Sequence, residues 1–265
     1  MKAGVSTACL YPELLEKALL RLAESGVRNT EIFFNTHCET EKSFIDELKS
    51  TLDYYDMKCA SVHPYTCPME PMIFFSSYER RVQDALEYYR RFFNAMNMLG
   101  ADVFVFHGNK RLVPVSEELY FERFYRLVRL GKEYGINVAQ ENVSRCQSAN
   151  ISFLSNLSKA LGDDASFVLD IKQSVRADEN PMEMLDALGK KIIHVHISDH
   201  GKKGDCLPVG AGEFEVETFL KKLEGLGFDG SVIIELYRCN FSDAALLADN
   251  YRLLESKIKK LCNKK

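Results

Sequence analysis

The sequence predicts an α/β protein, a single (β/α)8 TIM barrel spanning residues 1–265. Three observations predict it. Short β-branched or aromatic runs alternate with longer stretches of helical period, and such alternation implies a parallel sheet covered by helices. The alternation repeats eight times, which is what a closed barrel of this length requires. No Pro/Ser-rich linker, low-complexity segment or break in composition divides the chain. A doubly wound open sheet is the competing arrangement.

The elements follow in order. The strand "KAGVST" (2–7) precedes a helix over 12–26. There Leu14, Leu15, Ala18, Leu19, Leu22 and Ala23 fall on one apolar face, and Gly26 is a natural stop. "NTEIFFN" (29–35) leads to a helix over 40–56, and "MKCASVH" (57–63) to a long one over 76–100. "ADVFVFH" (101–107) leads to a helix over 116–135, where Ser116 and Glu118 suit the start. "INVAQEN" (136–142) is followed by a helix over 151–162, and "ASFVLDI" (165–171) by one over 180–189. "KIIHVHI" (191–197) leads, after a polar, Gly-rich loop over 198–214, to a helix over 215–227. "GSVIIEL" (230–236) and a helix over 242–261 complete the set.

Composition narrows the class. Hydrophobic residues make up 46% and charged residues 27%, as in an ordinary globular protein. The net charge of −4 argues against a nucleic-acid partner, which calls for a basic surplus. The eight cysteines are irregularly spaced and form no CxxC pair, so they read as reduced cytosolic thiols. Pro12 and Glu13 interrupt the apolar N-terminus, which fits neither a signal peptide nor a membrane span. The expected location is cytoplasmic.

The chemistry lies in how the strands end. Six of the eight run apolar and then place His63, His107, Glu141, Asp170, His196 or Glu235 at or near the C-terminal end. In a barrel those ends converge on one face, where active sites are built. Three carboxylates and three imidazoles so close together call for a cation. Mixed N/O donors suit Mn²⁺, Zn²⁺, Co²⁺ or Mg²⁺. Taken singly, each residue also reads as a solvated strand end. His194 shares the strand face of His196 one layer deeper and reads as a supporting residue. His200, His37, "KKG" (202–204) and the lysines of "KIKKLCNKK" read as solvated. The glycines of "PVGAGEF" read as turn formers, since the GxGxxG spacing of a dinucleotide fingerprint is absent. Lys110, Lys172 and Arg238 flank strand ends. They are placed to meet a substrate phosphate or carboxylate, or to remain solvated rim cations.

With "VAQEN", "FVLDIKQ", "HVHISD", "LPVGAGEF" and "VIIELY" in view, the chain resembles the xylose-isomerase-like barrel superfamily. That group holds sugar-phosphate isomerases and epimerases and the endonuclease IV family. The resemblance implies one metal held by Glu141, Asp170, His196 and Glu235, with Glu141 and Glu235 also moving the proton. It implies a second metal at His63 and His107 bridged through Glu141, as in endonuclease IV, and draws Asp199 into the "HxSD" pattern. The implied activity is isomerisation or epimerisation of a small sugar, sugar phosphate or polyol through a metal-stabilised enediolate; Gln173, where this chain departs from the pattern, is still expected to bond a substrate hydroxyl. Gln173 stands where a ketose 3-epimerase or the nuclease carries His, and "DCL" (205–207) lacks the nuclease's second ligand. An endonuclease IV-like phosphodiesterase and a non-catalytic metal-binding barrel are the alternatives. A homo-oligomer is left open.

Overall fold

The computed structural model describes residues 1–262. Eight parallel strands close into a barrel: β1 Lys2–Ser6, β2 Asn29–Phe33, β3 Lys58–His63, β4 Val103–Phe106, β5 Asn137–Glu141, β6 Phe167–Asp170, β7 Ile192–Ile197 and, last in the chain, β10 Ser231–Ile234. Around the ring the order is β1-β10-β7-β6-β5-β4-β3-β2, so neighbours in sequence are neighbours in space. The closed parallel ring excludes the open sheet. The remaining two strands, β8 Asp199–Gly201 and β9 Gly204–Leu207, form a small antiparallel hairpin. It stands in the segment that sequence reading leaves as a loop.

The outer layer is α1 Leu15–Glu24, α2 Lys42–Tyr54, α4 Glu79–Leu99, α5 Glu117–Glu133, α6 Ile151–Leu161, α8 Pro181–Leu188, α9 Val216–Gly225 and α10 Ala244–Cys262. Two short helices, α3 Glu70–Ile73 and α7 Ile171–Arg176, sit in the loops above the barrel. The observed helices are generally shorter than expected, because flanking residues serve as caps. Leu14, expected on the apolar face of α1, is its N-cap and 56% exposed, whereas Leu15, Ala18, Leu19, Leu22 and Ala23 are buried. Ser116 caps α5 by accepting the Leu119 N–H.

The main core lies between strands and helices. Val103, Val105, Ala139 and Val168 form a separate small cluster inside the barrel. Because side chains alternate along a strand, these small residues share the inward face with the polar groups near the strand ends. Register sets the layers: Asp170 and Ile233 both pair with His196, and Val168 and Ser231 with His194 one layer below. On the far side Glu31 pairs with Ser61, and Phe33 with His63. The seven cysteines whose side chains are described are free thiols. Lys257 and Lys259 pair with Glu217 and Glu255; Lys264 and Lys265, expected to be solvated, lie outside the described residues. No described helix is long and apolar enough to cross a membrane.

Candidate metal centre and active site

The centre is built at the C-terminal ends of the strands. Glu141 ends β5, Asp170 ends β6, His196 lies near the end of β7, and Glu235 follows β10. One ligand atom from each of the four lies within 4.8 Å of the others. His196 presents Nδ1 to all three carboxylates, 3.2 Å from Glu141 Oε1, 3.6 Å from Glu235 Oε2 and 3.7 Å from Asp170 Oδ2.

Neighbouring polar residues aim these groups. Asp170 caps α7 with Oδ1, which accepts the Gln173 N–H at 2.9 Å. That leaves Oδ2 free to point inward. The Asn142 amide clamps the Asp170 backbone from both sides, donating to its carbonyl and accepting its N–H. Gln140 points outward from β5 and its amide bonds the carbonyls of Phe106, His107 and Glu141. Tyr120 donates to Gln140 in turn. Gly108 is required beside this network, because a Cβ there would overlap the Tyr120 hydroxyl.

A second group shares Glu141. His63 and His107 join it with ligand atoms again within 4.8 Å. The two imidazoles face each other with Nε2 atoms 2.7 Å apart, and His107 Nε2 lies 2.8 Å from Glu141 Oε2. Glu141 Oε2 and Asp170 Oδ2 are buried without a well-aligned hydrogen bond; the first has His107 Nε2 at 2.8 Å and the second Lys172 Nζ at 3.3 Å. Buried acceptors of that kind are costly unless a cation or donor meets them. The donor set, three carboxylates and one imidazole, fits a divalent cation, and the two further imidazoles fit a second.

The electrostatics divide the three carboxyls. Burial would raise the Glu141 carboxyl, but His107 and His196 hold it well below the ordinary range. Burial likewise opposes ionisation of Glu235, and Lys172 and His196 pull it down. Burial wins at Asp170, whose carboxyl is raised despite Lys172.

Other expected residues fall in varied places. Lys172, read as a strand-end cation open to solvent or an anion, is only 3% exposed. It sits in the centre, 2.6 Å from Glu235 Oε2 and 3.3 Å from Asp170 Oδ2. Its ammonium also lies over the Tyr237 ring. Lys110 lies beside the second group with Nζ 2.6 Å from Cys67 Sγ. The Gln173 carbonyl oxygen is taken by the Ser144 N–H and hydroxyl. Arg238 turns onto its own loop, donating to the Phe241 and Ser242 carbonyls, and is not drawn into the centre. Asp199 accepts the N–H groups of His200, Gly210 and Phe214 and so ties the hairpin to the following loop. His200, expected in solvent, is half-buried with its ring against Phe214. Asp205 is gripped by Arg176, and Leu207 offers no donor.

Sequence reading missed Glu31. It is fully buried in β2, and its Oε2 meets Ser61, His194 and His196. The available signal was an acid in mid-strand, between Thr30 and Ile32. His194 is buried beneath His196, as its alternate position requires. A separate cavity of about 820 Å³ opens at the opposite, N-terminal ends of the strands, lined by Lys2, Lys58, Asp102 and Asp229 among others. It reaches His194 but none of the four convergent side chains.

Fold and site together define a (β/α)8 barrel with a polar, cation-fitting centre at its C-terminal mouth. The chain belongs to the xylose isomerase-like TIM barrel family, which matches residues 19–257. An uncharacterized protein of Methanocaldococcus jannaschii is 28% identical over 252 residues, covering 89% of this chain and 83% of that protein. The solved structure of a D-tagatose 3-epimerase-like protein superposes with a TM-score of 0.80 at 23% identity, covering 100% of this chain and 99% of the other. A D-psicose 3-epimerase structure superposes with a TM-score of 0.78 at 13% identity, covering 98% and 99%. At these identities the two structures speak for the fold.

Proposed function

We propose that this protein is a divalent-cation-dependent isomerase or epimerase of a small sugar, sugar phosphate or polyol, working by proton transfer between Glu141 or Glu235 and a substrate carbon. The observation that carries the reading is the convergence of Glu141, Asp170, His196 and Glu235 within 4.8 Å. The epimerase names among the structural neighbours are in keeping with it. A divalent cation at this position supplies Lewis acidity to a carbonyl and its adjacent hydroxyl, which acidifies the C–H between them. The residues then divide the work. Glu141 and Glu235 come from opposite flanks of the arc β5-β6-β7-β10, so they approach a carbon between them from two sides. Both are held ionised, so one takes the substrate proton while the other returns a proton drawn from solvent, and the first releases its own to solvent before the next turnover. The Glu235 side chain is 14% exposed against 1% for Glu141, so Glu235 is the one nearer the mouth. Lys172 adds a fixed positive charge where negative charge grows on the substrate.

The test is turnover of a panel of ketoses, ketose phosphates and keto-polyols in deuterated water with added Mn²⁺. Deuterium should enter the substrate at the carbon beside the carbonyl. Glu235→Gln should lower the rate by about 10²–10⁴-fold with the circular dichroism unchanged. Turnover without deuterium incorporation, or near-normal activity in that variant, would refute the proton-transfer role.

A second reading draws on the His63–His107–Glu141 group, which favours a two-cation phosphodiesterase. Against it, Asp205 is engaged by Arg176 and Leu207 cannot ligate. Cleavage of an abasic-site duplex, abolished by Glu141→Gln, would reverse the order of the two readings.

A further inference from the structure

We propose that Glu31 is the positioning residue of the centre: its carboxylate binds His196 at Nε2–H and thereby turns Nδ1 toward the cation position. This rests on the reading of His196 as a cation ligand.

Glu31 is 0% exposed, deep in the barrel, with no arginine or lysine among the described residues bonded to it. A buried carboxylate of this kind costs several kcal/mol unless donors meet it. Here a hydroxyl and two ring nitrogens converge on a single oxygen. Oε2 accepts the Ser61 hydroxyl at 2.8 Å and lies 3.0 Å from His196 Nε2 and 3.2 Å from His194 Nε2. Oε1 has no partner. The arrangement is directional, because it spends the acid on one spot beneath His196.

The consequence falls on His196. An imidazole has two nitrogens, and a neutral ring carries a proton on one of them. His196 has a carboxylate at each nitrogen, Glu31 Oε2 at 3.0 Å from Nε2 and Glu141 Oε1 at 3.2 Å from Nδ1; when a cation takes the Nδ1 lone pair, the acceptor at Nε2 holds the ring's one proton. Nδ1 is the atom that faces Glu141, Asp170 and Glu235. A carboxylate behind a ligating histidine fixes ring orientation and raises its donor strength. Ser61 and His194 then have a clear task. They hold Glu31, Ser61 from the paired position on β3 and His194 from two residues before His196. His194 Nε2 also lies 3.2 Å from the Ser61 hydroxyl, which closes the group.

Two measurements test this separately. The first uses ¹H–¹⁵N spectra of histidine-labelled protein without added metal. His196 should show a slowly exchanging Nε2–H in the wild type. Glu31→Leu should abolish that signal and Glu31→Gln, which keeps an acceptor, should shift it upfield. A His196 signal indifferent to both variants would overturn the proposal, and the Gln variant keeps the test open should the Leu variant fail to fold. The second is calorimetric titration with Zn²⁺. Glu31→Gln should weaken binding by about 10–100-fold, and His196→Ala should weaken it further. Affinity within threefold of wild type in Glu31→Gln would overturn the assignment. Loss of the His196 Nε2–H on Zn²⁺ loading would also overturn it, because the cation would then sit on Glu31, His194 and His196. Failure of wild type to bind Zn²⁺, Mn²⁺, Co²⁺ or Mg²⁺ would instead fail the metal reading, with the first measurement still deciding the Glu31–His196 bond.

Discussion

Glu70 shows how one carboxyl is tuned by position. It is buried beneath the loop after β3, where it accepts the Gly108 N–H at 2.9 Å and the Thr66 hydroxyl at 3.1 Å. Burial, reinforced by nearby Cys67, lifts its carboxyl from 4.5 to about 7. The folded value lies above the unfolded one, so between these pH values the folded state binds the extra proton. The contribution to stability is present below about pH 4.5 and is lost as pH rises through 7. Denaturant melts should therefore show a loss of up to about 3 kcal/mol across that window, since each tenfold change in proton affinity is worth about 1.4 kcal/mol. Glu70→Gln should flatten it, and an unchanged slope in the variant would remove Glu70 as the cause. The paired histidines of β7 give a second expectation. His196→Asn should abolish cation binding seen by calorimetry, and His194→Asn should weaken it about 10-fold, as for a group that supports a ligand through another. The opposite ranking would mean that the deeper histidine is the ligand. At this scale the terminal residues were legible because strand and loop meet at them. Glu31 was not, since its partners lie 30 or more positions away, at Ser61, His194 and His196. Lys172 was misplaced for a related reason. Its charge suggested the rim, but Glu235 and Asp170 draw it inside.

The hairpin β8–β9 and the loop behind it are the elements that the periodicity of the chain does not announce. Their pattern is polar, and what holds them is a set of bonds to one carboxylate. Asp199 gathers three backbone N–H groups, and Asn250 on α10 exchanges two hydrogen bonds with the Val209 backbone. Gly212 passes so close to Asp199 and the His200 carbonyl that a Cβ would overlap both. Gly212→Ala should thus release the loop locally. Limited proteolysis should cut within 198–214 faster in the variant, while the main unfolding transition moves little, because strands and helices keep their contacts. Equal cleavage of variant and wild type would show that the close approach is not what closes the loop. Strands and long helices were legible because apolar period and burial coincide, as Leu15, Leu19 and Leu22 show on α1. Short α7 was not legible. It exists because Asp170 caps it, and that capping also frees the oxygen aimed at the centre.

For the whole molecule, the barrel explains why its most polar residues can be buried together. Each strand contributes little alone, and closure brings four anionic or imidazole side chains to one point. A cation that binds there binds only the closed ring, because Glu141, Asp170, His196 and Glu235 are distant in sequence and gathered by the fold. It must then stabilise the folded state in proportion to its occupancy. At a free concentration one hundred times the dissociation constant the gain is about 2.7 kcal/mol. For a chain of this size that corresponds to a rise in melting temperature of roughly 5–10 °C. The rise should appear on titration with Mn²⁺ or Zn²⁺ and reverse with a chelator. Asp170→Asn is the sharper control, because an amide oxygen can still accept the Gln173 N–H that caps α7 while the anionic donor is lost. That variant should melt near the wild type without metal and fail to gain with it. A full gain in Asp170→Asn would place the cation elsewhere on the molecule, and the four strand ends would then have to be explained as a hydrogen-bonded core alone.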